Sequence, residues 1–315
     1  MDAHNRLLIL SRSAAVYADL IKDLRLPNLE IAACKTAGET SAHLDQCTII
    51  LGEPSRIARV VEGARVLKWV QSTYAGVEEL LGPGGRSDYI LTGVKGVFGP
   101  FMSEYVMGYI LALERNFFTA YRNQQDRTWR RLPYKSLHGR LIGICGLGSI
   151  GRHLARTAEG FGLRAWGFKR TAETVPEVER VFTGLEFDEF LSQPDYIVNT
   201  LPSTPATVRL FDEAAFRTMK KTAVLINIGR GDAVIEEELI RALQQGLIGG
   251  AVLDVFEKEP LPEESPLWTL PHVVITPHNS GFSFPDDIVG LFAENHRRFS
   301  KGESLLYRVD FERGY

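Results

Sequence analysis

Three charged side chains, Arg230, Glu259 and His278, each stand at or just after the end of an apolar run in the second half of the sequence. Arg230 lies in NIGRGDAV, Glu259 in DVFEKEPL and His278 in VVITPHNSG. We predict that the apolar runs are central strands of a parallel sheet, whose carboxyl ends share one edge where ligands bind. An arginine, a carboxylate and an imidazole at one edge suit the reduction of a 2-oxo acid.

Each of the three side chains has a role in that chemistry. Arg230 can pair with a substrate carboxylate and polarise the carbonyl oxygen. His278, as imidazolium, can give a proton to the developing alkoxide, and Glu259 would raise the histidine pKa and fix the ring. Taken singly, the three are typical of solvated loop residues. Their shared edge, and Gly229 and Gly231 on either side of the arginine, favour the catalytic interpretation.

A glycine-rich segment, GICGLGSIG at 143–151, precedes these residues. Gly146, Gly148 and Gly151 fit G-x-G-x-x-G between an apolar strand and a helix. The first glycine permits a tight turn, the second lets backbone approach a pyrophosphate, and the third lets helix pack closely on strand. The following helix N-terminus attracts anions. The segment predicts a dinucleotide site, with a merely structural turn as the alternative.

The stretch WGFKRT at 166–171 bears on which dinucleotide binds. Sites for NAD commonly place Asp or Glu after the second strand, where the carboxylate holds the adenosine ribose. Here Lys169, Arg170 and Thr171 follow that strand, and cations with a hydroxyl would pair with a 2′-phosphate. The stretch therefore favours NADP(H) over NAD(H). A solvated basic strand end is the alternative.

Around these motifs, short β-rich runs alternate with helical patterns along almost the whole chain, which predicts α/β architecture with parallel sheets. Strands are predicted at 7–11, 30–34, 48–52, 67–72, 89–93, 141–146, 164–168, 196–202, 223–229, 251–256 and 273–277. A long amphipathic segment at 101–123 separates the first five strands from the rest, and a final helix is predicted at about 284–300. Two α/β domains follow from this pattern.

Composition limits the class of protein. The 315 residues carry a formal net charge of −3, with 44% hydrophobic and 24% charged residues, as in ordinary folded domains. Such a charge gives no general attraction to nucleic acid or an anionic membrane, and no apolar run approaches the roughly 20 residues of a membrane span. Cys34, Cys47 and Cys145 lack metal-binding or disulfide spacing. Without a secretory signal at the start, we expect a cytoplasmic protein that binds no metal.

The chain resembles the D-isomer-specific 2-hydroxyacid dehydrogenase family, in particular its glyoxylate/hydroxypyruvate reductase branch. The resemblance is carried by LHGRLIGICGLGSIG, NTLPSTPATVRLF, MKKTAVLINIGRGDAVIEEELIRAL, GAVLDVFEKEPLP and VVITPHNSG, and the ending RVDFERGY is similar to the tail of that branch. It covers about residues 65 to 315. The family's catalytic arginine, glutamate and histidine correspond to Arg230, Glu259 and His278.

The resemblance also implies a fold and an assembly. It implies two doubly wound parallel-sheet domains, with a Rossmann-type nucleotide domain inserted in a flavodoxin-like substrate domain. The substrate (catalytic) domain would comprise residues 1–99 plus 283–315, and the NAD(P)-binding domain residues 100–282. The segment FMSEYVMGYILALERN is similar to the family's dimerisation helix, which predicts a homodimer. A linking helix buried within one chain is the alternative.

Further site residues follow from the resemblance. The loop TYAGVEE would hold the substrate carboxylate through Tyr74, Ala75 and Gly76, together with Arg230 and His278. The implied cofactor-binding residues are Gly146, Leu147, Gly148, Ser149, Ile150, Gly151, Lys169, Arg170, Thr171, Leu201, Pro202, Thr207, Ile228, Gly229 and Asp254. Asp254 would approach the nicotinamide, or would instead be a buried polar residue that serves the sheet edge.

The function so implied is NADPH-dependent reduction of a small 2-oxo acid, such as glyoxylate or hydroxypyruvate, to a D-2-hydroxy acid. Two alternatives stay open. One is a non-catalytic nucleotide-sensing protein, because some relatives in transcriptional corepression keep the same three residues. The other is a phosphite-type dehydrogenase. The formate branch is disfavoured, since it has an amide where Glu259 stands.

Overall fold

The structure, a computed structural model, describes residues 4–82 and 85–312. The chain divides into two compact units. The first combines the residues up to Val97 with those from Ser283 onward, and the second is the continuous segment Phe98–Phe282. The second unit is thus inserted in the sequence of the first. The roles of the two units as substrate and cofactor domains stay predictions, and the last three residues of the RVDFERGY ending lie outside the described residues.

The first unit is built on a five-stranded parallel sheet in the order β2-β1-β3-β4-β5. Its strands are β1 (Asn5–Leu10), β2 (Leu29–Cys34), β3 (Ile49–Gly52), β4 (Trp69–Ser72) and β5 (Ile90–Thr92). Its helices are α1 (Ala14–Asp23), α2 (Pro54–Ile57) and, after the second unit, α9 (Pro285–Ser300). This strand order is that of flavodoxin-like folds.

Distant parts of the sequence complete the core of this first unit. The apolar run of β1 is buried, and α1 packs on the sheet with residues spaced three and four apart, as an amphipathic helix does. Trp69 of β4 stacks on Phe292 of α9 with ring centroids 5.2 Å apart. The buried amide of Asn295 donates to Gln71 Oε1 at 3.0 Å. α9 therefore belongs to the first unit by packing.

The second unit is built on a seven-stranded parallel sheet in the order β12-β11-β10-β9-β6-β7-β8. Its strands are β6 (Leu141–Cys145), β7 (Arg164–Phe168), β8 (Arg180–Phe182), β9 (Tyr196–Asn199), β10 (Val224–Asn227), β11 (Gly250–Leu253) and β12 (Val273–Ile275). Its helices are α3 (Gly99–Glu114), α4 (Phe117–Gln125), α5 (Ser149–Gly160), α6 (Phe187–Ser192), α7 (Glu213–Thr218) and α8 (Glu236–Gln244). The six strands from β8 to β11 follow the Rossmann order, and β12 extends it.

The predicted fold class, two doubly wound parallel-sheet domains, is confirmed. Four predicted strands run at least two residues too far, because β9, β10, β11 and β12 end at Asn199, Asn227, Leu253 and Ile275. Buried apolar residues such as Leu201 and Ile228 continue the apolar pattern into the following loops. The prediction also missed β8, whose three residues are too short to show a strand pattern.

The amphipathic segment predicted at 101–123 is interrupted. α3 ends at Glu114, and Asn116 adopts a left-handed conformation with φ of 55° before α4 begins. Asparagine tolerates this conformation better than most residues. Its amide also donates to the Pro133 carbonyl at 2.8 Å, which holds the break.

Two further features of the described residues concern the class of protein. None of their helices is long and apolar enough to cross a membrane. Cys34, Cys47 and Cys145 are buried free thiols.

Candidate active site

Glu259 and His278 form a contact at the carboxyl edge of the seven-stranded sheet. Glu259 lies in the loop after β11 and His278 in the loop after the neighbouring strand β12. Glu259 Oε2 lies 2.8 Å from His278 Nδ1. Because Nδ1 faces the carboxylate, Nε2 is the ring nitrogen that can exchange a proton with another molecule. The histidine side chain is 54% exposed, so such a molecule can reach it.

The electrostatics of this pair favour the ionised form of both groups. The hydrogen bond with Glu259 raises the pKa of His278, against the opposing effect of burial, and the charge of Asp254 adds to the rise. Burial alone would raise the pKa of Glu259. The hydrogen bonds from His278 and from the Phe256 N–H, the latter 3.1 Å long, hold that pKa below its usual value. The positive charge of Arg230 lowers the pKa of both groups.

The buried carboxylate of Asp254 shapes the loop that carries His278. Asp254 is 0% exposed and directly follows β11. Its Oδ1 accepts hydrogen bonds from Thr276 Oγ1 at 2.6 Å and from the Asn279 N–H at 2.9 Å. Its Oδ2 accepts from the Ser280 N–H at 2.9 Å, and its carbonyl accepts from the His278 N–H at 2.8 Å. His278 has φ of 51°, an uncommon backbone conformation that these bonds hold. Contact of Asp254 with a nicotinamide stays a prediction.

Tyr105 of α3 extends this network. Its hydroxyl lies 2.5 Å from Thr276 Oγ1, which in turn donates to Asp254. Burial raises the pKa of Tyr105, so the phenol stays protonated and can donate. Neither Tyr105 nor Thr276 was predicted as a site residue. Both lie in the segments that carry the family resemblance, FMSEYVMGYILALERN and VVITPHNSG, but only the folded chain brings α3 to the end of β12.

Two buried asparagines hold the turn that presents Arg230. Asn199 and Asn227 end the adjacent strands β9 and β10 and are joined by an Nδ2–H to Oδ1 hydrogen bond of 2.9 Å. Asn227 Oδ1 also accepts from the Gly229 N–H at 3.2 Å, and its Nδ2 donates to the Arg230 carbonyl at 3.0 Å. The guanidinium of Arg230 donates to the Gly229 carbonyl at 2.8 Å. This pair was not predicted from the sequence, although a polar residue that closes each of two apolar strands is its signal.

The arginine turn and the glutamate loop touch through their backbones. A Cβ atom on Gly231 would lie 1.9 Å from the carbonyl carbon of Phe256, so only glycine fits between the two loops. Phe256 in turn donates its N–H to Glu259. The spacing of Arg230 and Glu259 is therefore set by this close contact.

The glycine-rich turn connects β6 to α5. Gly146 has φ of 100°, and a Cβ on Gly151 would lie 1.9 Å from the Gly146 carbonyl oxygen. A Cβ on Gly148 would meet no heavy atom within 4 Å, which leaves open space at the start of α5. The first turn of α5, from Ser149, contains no acidic residue. These features fit a pyrophosphate at the helix N-terminus. Leu147 is 5% exposed and so offers a ligand mainly its backbone.

The basic stretch after β7 has a carboxylate partner that was not predicted from the sequence. The ammonium of Lys169 pairs with Glu173, and Arg152 of α5 donates to the same carboxylate at 2.9 Å. The hydrogen bond from Lys169 lowers the pKa of Glu173. Arg170 and Thr171, which follow, are exposed. The sequence signal for this ion pair is the spacing of four residues between Lys169 and Glu173. That spacing indicates an ion pair within a helix, and no regular helix joins these two residues.

The other predicted cofactor-binding residues also lie in loops or helix starts at the carboxyl edge of this sheet. Thr207 Oγ1 donates to the Pro202 carbonyl at 2.6 Å, which closes the loop after β9. The remaining positions are Ile150 in the first turn of α5, Leu201 after β9, and Ile228 with Gly229 after β10. Whether these residues contact a cofactor stays a prediction.

The predicted substrate loop belongs to the first unit. Tyr74, Ala75 and Gly76 follow β4, and Ser72 Oγ fixes the turn by accepting from the Tyr74 N–H at 2.9 Å and donating to its carbonyl at 2.8 Å. The Tyr74 side chain is 48% exposed. Within residues 4–82 and 85–312, no group of three or more His, Cys, Asp and Glu side chains is arranged to hold a metal ion.

Comparison with known proteins identifies the family. The sequence model described as "D-isomer specific 2-hydroxyacid dehydrogenase, NAD binding domain" matches residues 107–280. The chain belongs to the D-isomer specific 2-hydroxyacid dehydrogenase family. Members are NAD(P)-dependent oxidoreductases of small 2-hydroxy or 2-oxo acids, which is the general activity that the sequence predicted.

Solved structures of the same family resemble this chain over nearly its whole length. A family protein from Aeromonas salmonicida is 42% identical with a TM-score of 0.94, covering 98% of this chain and 100% of its own. An NADPH-dependent glyoxylate/hydroxypyruvate reductase from Sinorhizobium meliloti, in complex with NADP and sulfate, is 27% identical with a TM-score of 0.89 over 99% and 100% of the two chains. A family protein from Xanthobacter autotrophicus, in complex with NADPH and MES, is 29% identical with a TM-score of 0.89 over the same shares.

Proposed function

We propose that this protein is an NADPH-dependent reductase that converts small 2-oxo acids, with glyoxylate and hydroxypyruvate as first candidates, to D-2-hydroxy acids. The observation that carries the proposal is the contact of 2.8 Å between Glu259 and His278, beside the turn of Arg230. A carboxylate that keeps an accessible imidazole protonated suits an enzyme that must give a proton to a carbonyl oxygen.

Each catalytic residue has a defined task in this proposal. Bound NADPH supplies the hydride that adds to C2 of the substrate. Arg230 pairs with the substrate carboxylate through its planar fork of donors and polarises the carbonyl. His278 gives its Nε2 proton to the carbonyl oxygen, and Glu259 stabilises the imidazolium beforehand. The backbone N–H groups of Ala75 and Gly76 contribute to holding the carboxylate, since the Tyr74 N–H already donates to Ser72 Oγ.

The preference for NADPH rests on the residues after β7. Lys169 supplies a cation that is only 16% exposed at the position where NAD sites commonly carry an acid. Arg170 and Thr171 follow it, and a 2′-phosphate can pair with all three. Glu173 is a competing partner of Lys169 that the phosphate would have to displace. The complexes of the two relatives with NADP and NADPH support the same choice.

The activity is tested by following NADPH oxidation with glyoxylate, hydroxypyruvate and phenylpyruvate. We expect turnover with at least one of them, and we expect His278→Ala to abolish turnover while NADPH still binds, as measured by its fluorescence. Arg230→Lys keeps the charge but loses the planar fork, so kcat/KM should fall strongly. NADPH binding without turnover of any 2-oxo acid would favour a nucleotide sensor. Reduction of NADP⁺ by phosphite would favour the phosphite-type dehydrogenase.

The cofactor preference is tested by the double substitution Lys169→Asp with Arg170→Ala. We expect the ratio of kcat/KM for NADPH to that for NADH to fall, because the acid repels a 2′-phosphate and accepts from a ribose hydroxyl. Arg164→Ala, at the opposite end of the same strand, is the matched control and should leave the ratio unchanged. An unchanged ratio in the double variant would show that Lys169 and Arg170 do not determine the preference for NADPH over NADH.

The proposed homodimer is supported by α4 rather than by α3 alone. No residue of α4 is buried, and Phe117, Phe118 and Tyr121 are 55%, 47% and 66% exposed. A helix of nine residues is marginal without tertiary packing, so a second copy of the chain would give it a partner. Phe118→Glu with Tyr121→Glu should produce monomers in light scattering. The control Leu185→Glu, at a fully exposed position elsewhere, should stay dimeric.

A further inference from the structure

A cavity in the first unit carries positive charge that the proposed chemistry does not use. It has a volume of about 400 Å³ and lies at the carboxyl edge of the five-stranded sheet. Its lining residues follow three of the strands: Arg12 after β1, Glu53, Ser55, Arg56 and Arg59 after β3, and Tyr74 after β4. The carboxyl edge of a doubly wound sheet is where such folds bind ligands.

The acidic residue of this cavity is fully engaged. Glu53 is 8% exposed, and its Oε1 accepts from Ser11 Oγ at 2.8 Å and from the Arg12 N–H at 3.0 Å. Its Oε2 pairs with the guanidinium of Arg56, which also donates to the Lys35 carbonyl at 2.6 Å. Glu53 and Arg56 therefore neutralise each other within the wall of the cavity.

Two arginines of the cavity remain uncompensated. Within the described part of the chain, the guanidinium groups of Arg12 and Arg59 form no hydrogen bond or ion pair. Arg12 is near enough to Tyr74 for its charge to lower the pKa of that phenol, against the larger rise caused by burial. Two guanidinium groups facing one cavity suit an anion, because each can give paired hydrogen bonds to a carboxylate or phosphate.

Tyr74 connects this cavity to the proposed substrate site, because it belongs to the loop that would hold the 2-oxo acid carboxylate. Resting on the proposed function, we propose that the cavity of Arg12 and Arg59 receives a second acidic group of the substrate. The substrate is then a 2-oxo acid with a further carboxylate or phosphate at the end of its side chain. The same loop would hold the first carboxylate, and the arginines would select for the second.

The experiment compares kcat/KM for pairs of 2-oxo acids that differ in one acidic group, with NADPH as cofactor. The pairs are oxaloacetate with 2-oxobutanoate, and phosphohydroxypyruvate with hydroxypyruvate. We expect the acidic member to be preferred in at least one pair, and the pair with the larger ratio identifies carboxylate or phosphate as the group that binds. Arg12→Gln and Arg59→Gln should each lower that ratio at least tenfold.

Arg65→Gln is the control for general charge, because Arg65 is 84% exposed in the same unit and does not line the cavity. It should leave the ratio unchanged. A wild-type ratio of one or less in both pairs, or a ratio that Arg12→Gln and Arg59→Gln leave unaltered, would overturn the inference while the reductase proposal stands. Absence of turnover with all four acids would overturn the inference, and absence of turnover with glyoxylate and phenylpyruvate as well would overturn the reductase proposal.

Discussion

Replacing Asp254 by asparagine tests how the loop of His278 is held. The carboxylate of Asp254 accepts three hydrogen bonds from that loop, with donors 2.6 to 2.9 Å away, and the residue is completely buried. Asp254→Asn keeps the shape of the side chain but replaces one oxygen by an NH2 group. At least one loop N–H would then face another donor instead of an acceptor.

The magnitude follows from the number of bonds lost. If the amide oxygen replaces Oδ1, the bonds from Thr276 and Asn279 survive and the bond from Ser280 is lost. A hydrogen bond to a charged group contributes about 1.5–3 kcal/mol, so the loss of one bond destabilises the native loop arrangement by about that amount. At about 1.4 kcal/mol for each factor of ten, kcat/KM for a 2-oxo acid should fall about 10- to 150-fold.

The assay combines steady-state kinetics with a pH–rate profile. Because the charge of Asp254 helps raise the pKa of His278, Asp254→Asn should also move the loss of reductase activity to lower pH. Thr276→Val also removes one hydrogen bond but keeps the charge of Asp254, so its pH–rate profile should stay that of the wild type. A value for Asp254→Asn within threefold of the wild type, with an unmoved pH profile, would refute this account of the loop.

Three further substitutions probe other contacts of the site. Glu259→Gln removes the charge that raises the pKa of His278. Reduction needs the imidazolium, so the fall in kcat/KM with rising pH should begin at lower pH in the variant. Glu173→Gln releases Lys169 from its ion pair. The KM for NADPH should then fall about two- to fivefold, as expected for an ion pair at the protein surface whose carboxylate is partly exposed, while that for NADH changes little. Gly231→Ala forces the arginine turn away from the backbone of Phe256. Overpacking of this kind costs about 1–3 kcal/mol, so thermal unfolding should occur at lower temperature and kcat/KM should fall at least tenfold.

Specific results would contradict each of these expectations. An unchanged pH profile in Glu259→Gln would show that the carboxylate does not control the histidine. Equal changes in the KM values for NADPH and NADH in Glu173→Gln would show that Glu173 does not influence the choice between the two cofactors. Wild-type kinetics in Gly231→Ala would show that the two loops can move apart without harm.

Much of the fold was predictable because its signals are local. Buried parallel strands are short apolar runs, and the glycine-rich turn has a fixed spacing, so both could be recognised without a structure. The edge shared by Arg230, Glu259 and His278 followed from topology, since parallel strands end on the same side. What the strand pattern could not give was where each strand stops, because Leu201 and Ile228 are as buried as strand residues.

The contacts that the sequence did not predict depend on long-range geometry. Tyr105 and Thr276 are 171 positions apart, and nothing in either neighbourhood marks them as partners. Glu173 reaches Lys169 through an irregular loop, where neither helical nor strand spacing applies. The left-handed Asn116 breaks a segment whose apolar pattern continues on both sides. In each case the residue type was visible, but its conformation was decided by tertiary packing.

The stacking of Trp69 on Phe292 has a consequence for the order in which the protein is made. The second unit is continuous in the chain, so its sheet is complete once Phe282 has been synthesised. The first unit at that point still lacks α9. Its core is therefore incomplete, because Trp69 has not yet packed on Phe292 and Gln71 has not yet bonded to Asn295. During synthesis, which proceeds from the N-terminus, the inserted unit can therefore fold before the unit that surrounds it. The strands that are synthesised first, those of the first unit, are therefore among the last to complete their packing, because α9 is synthesised near the end of the chain.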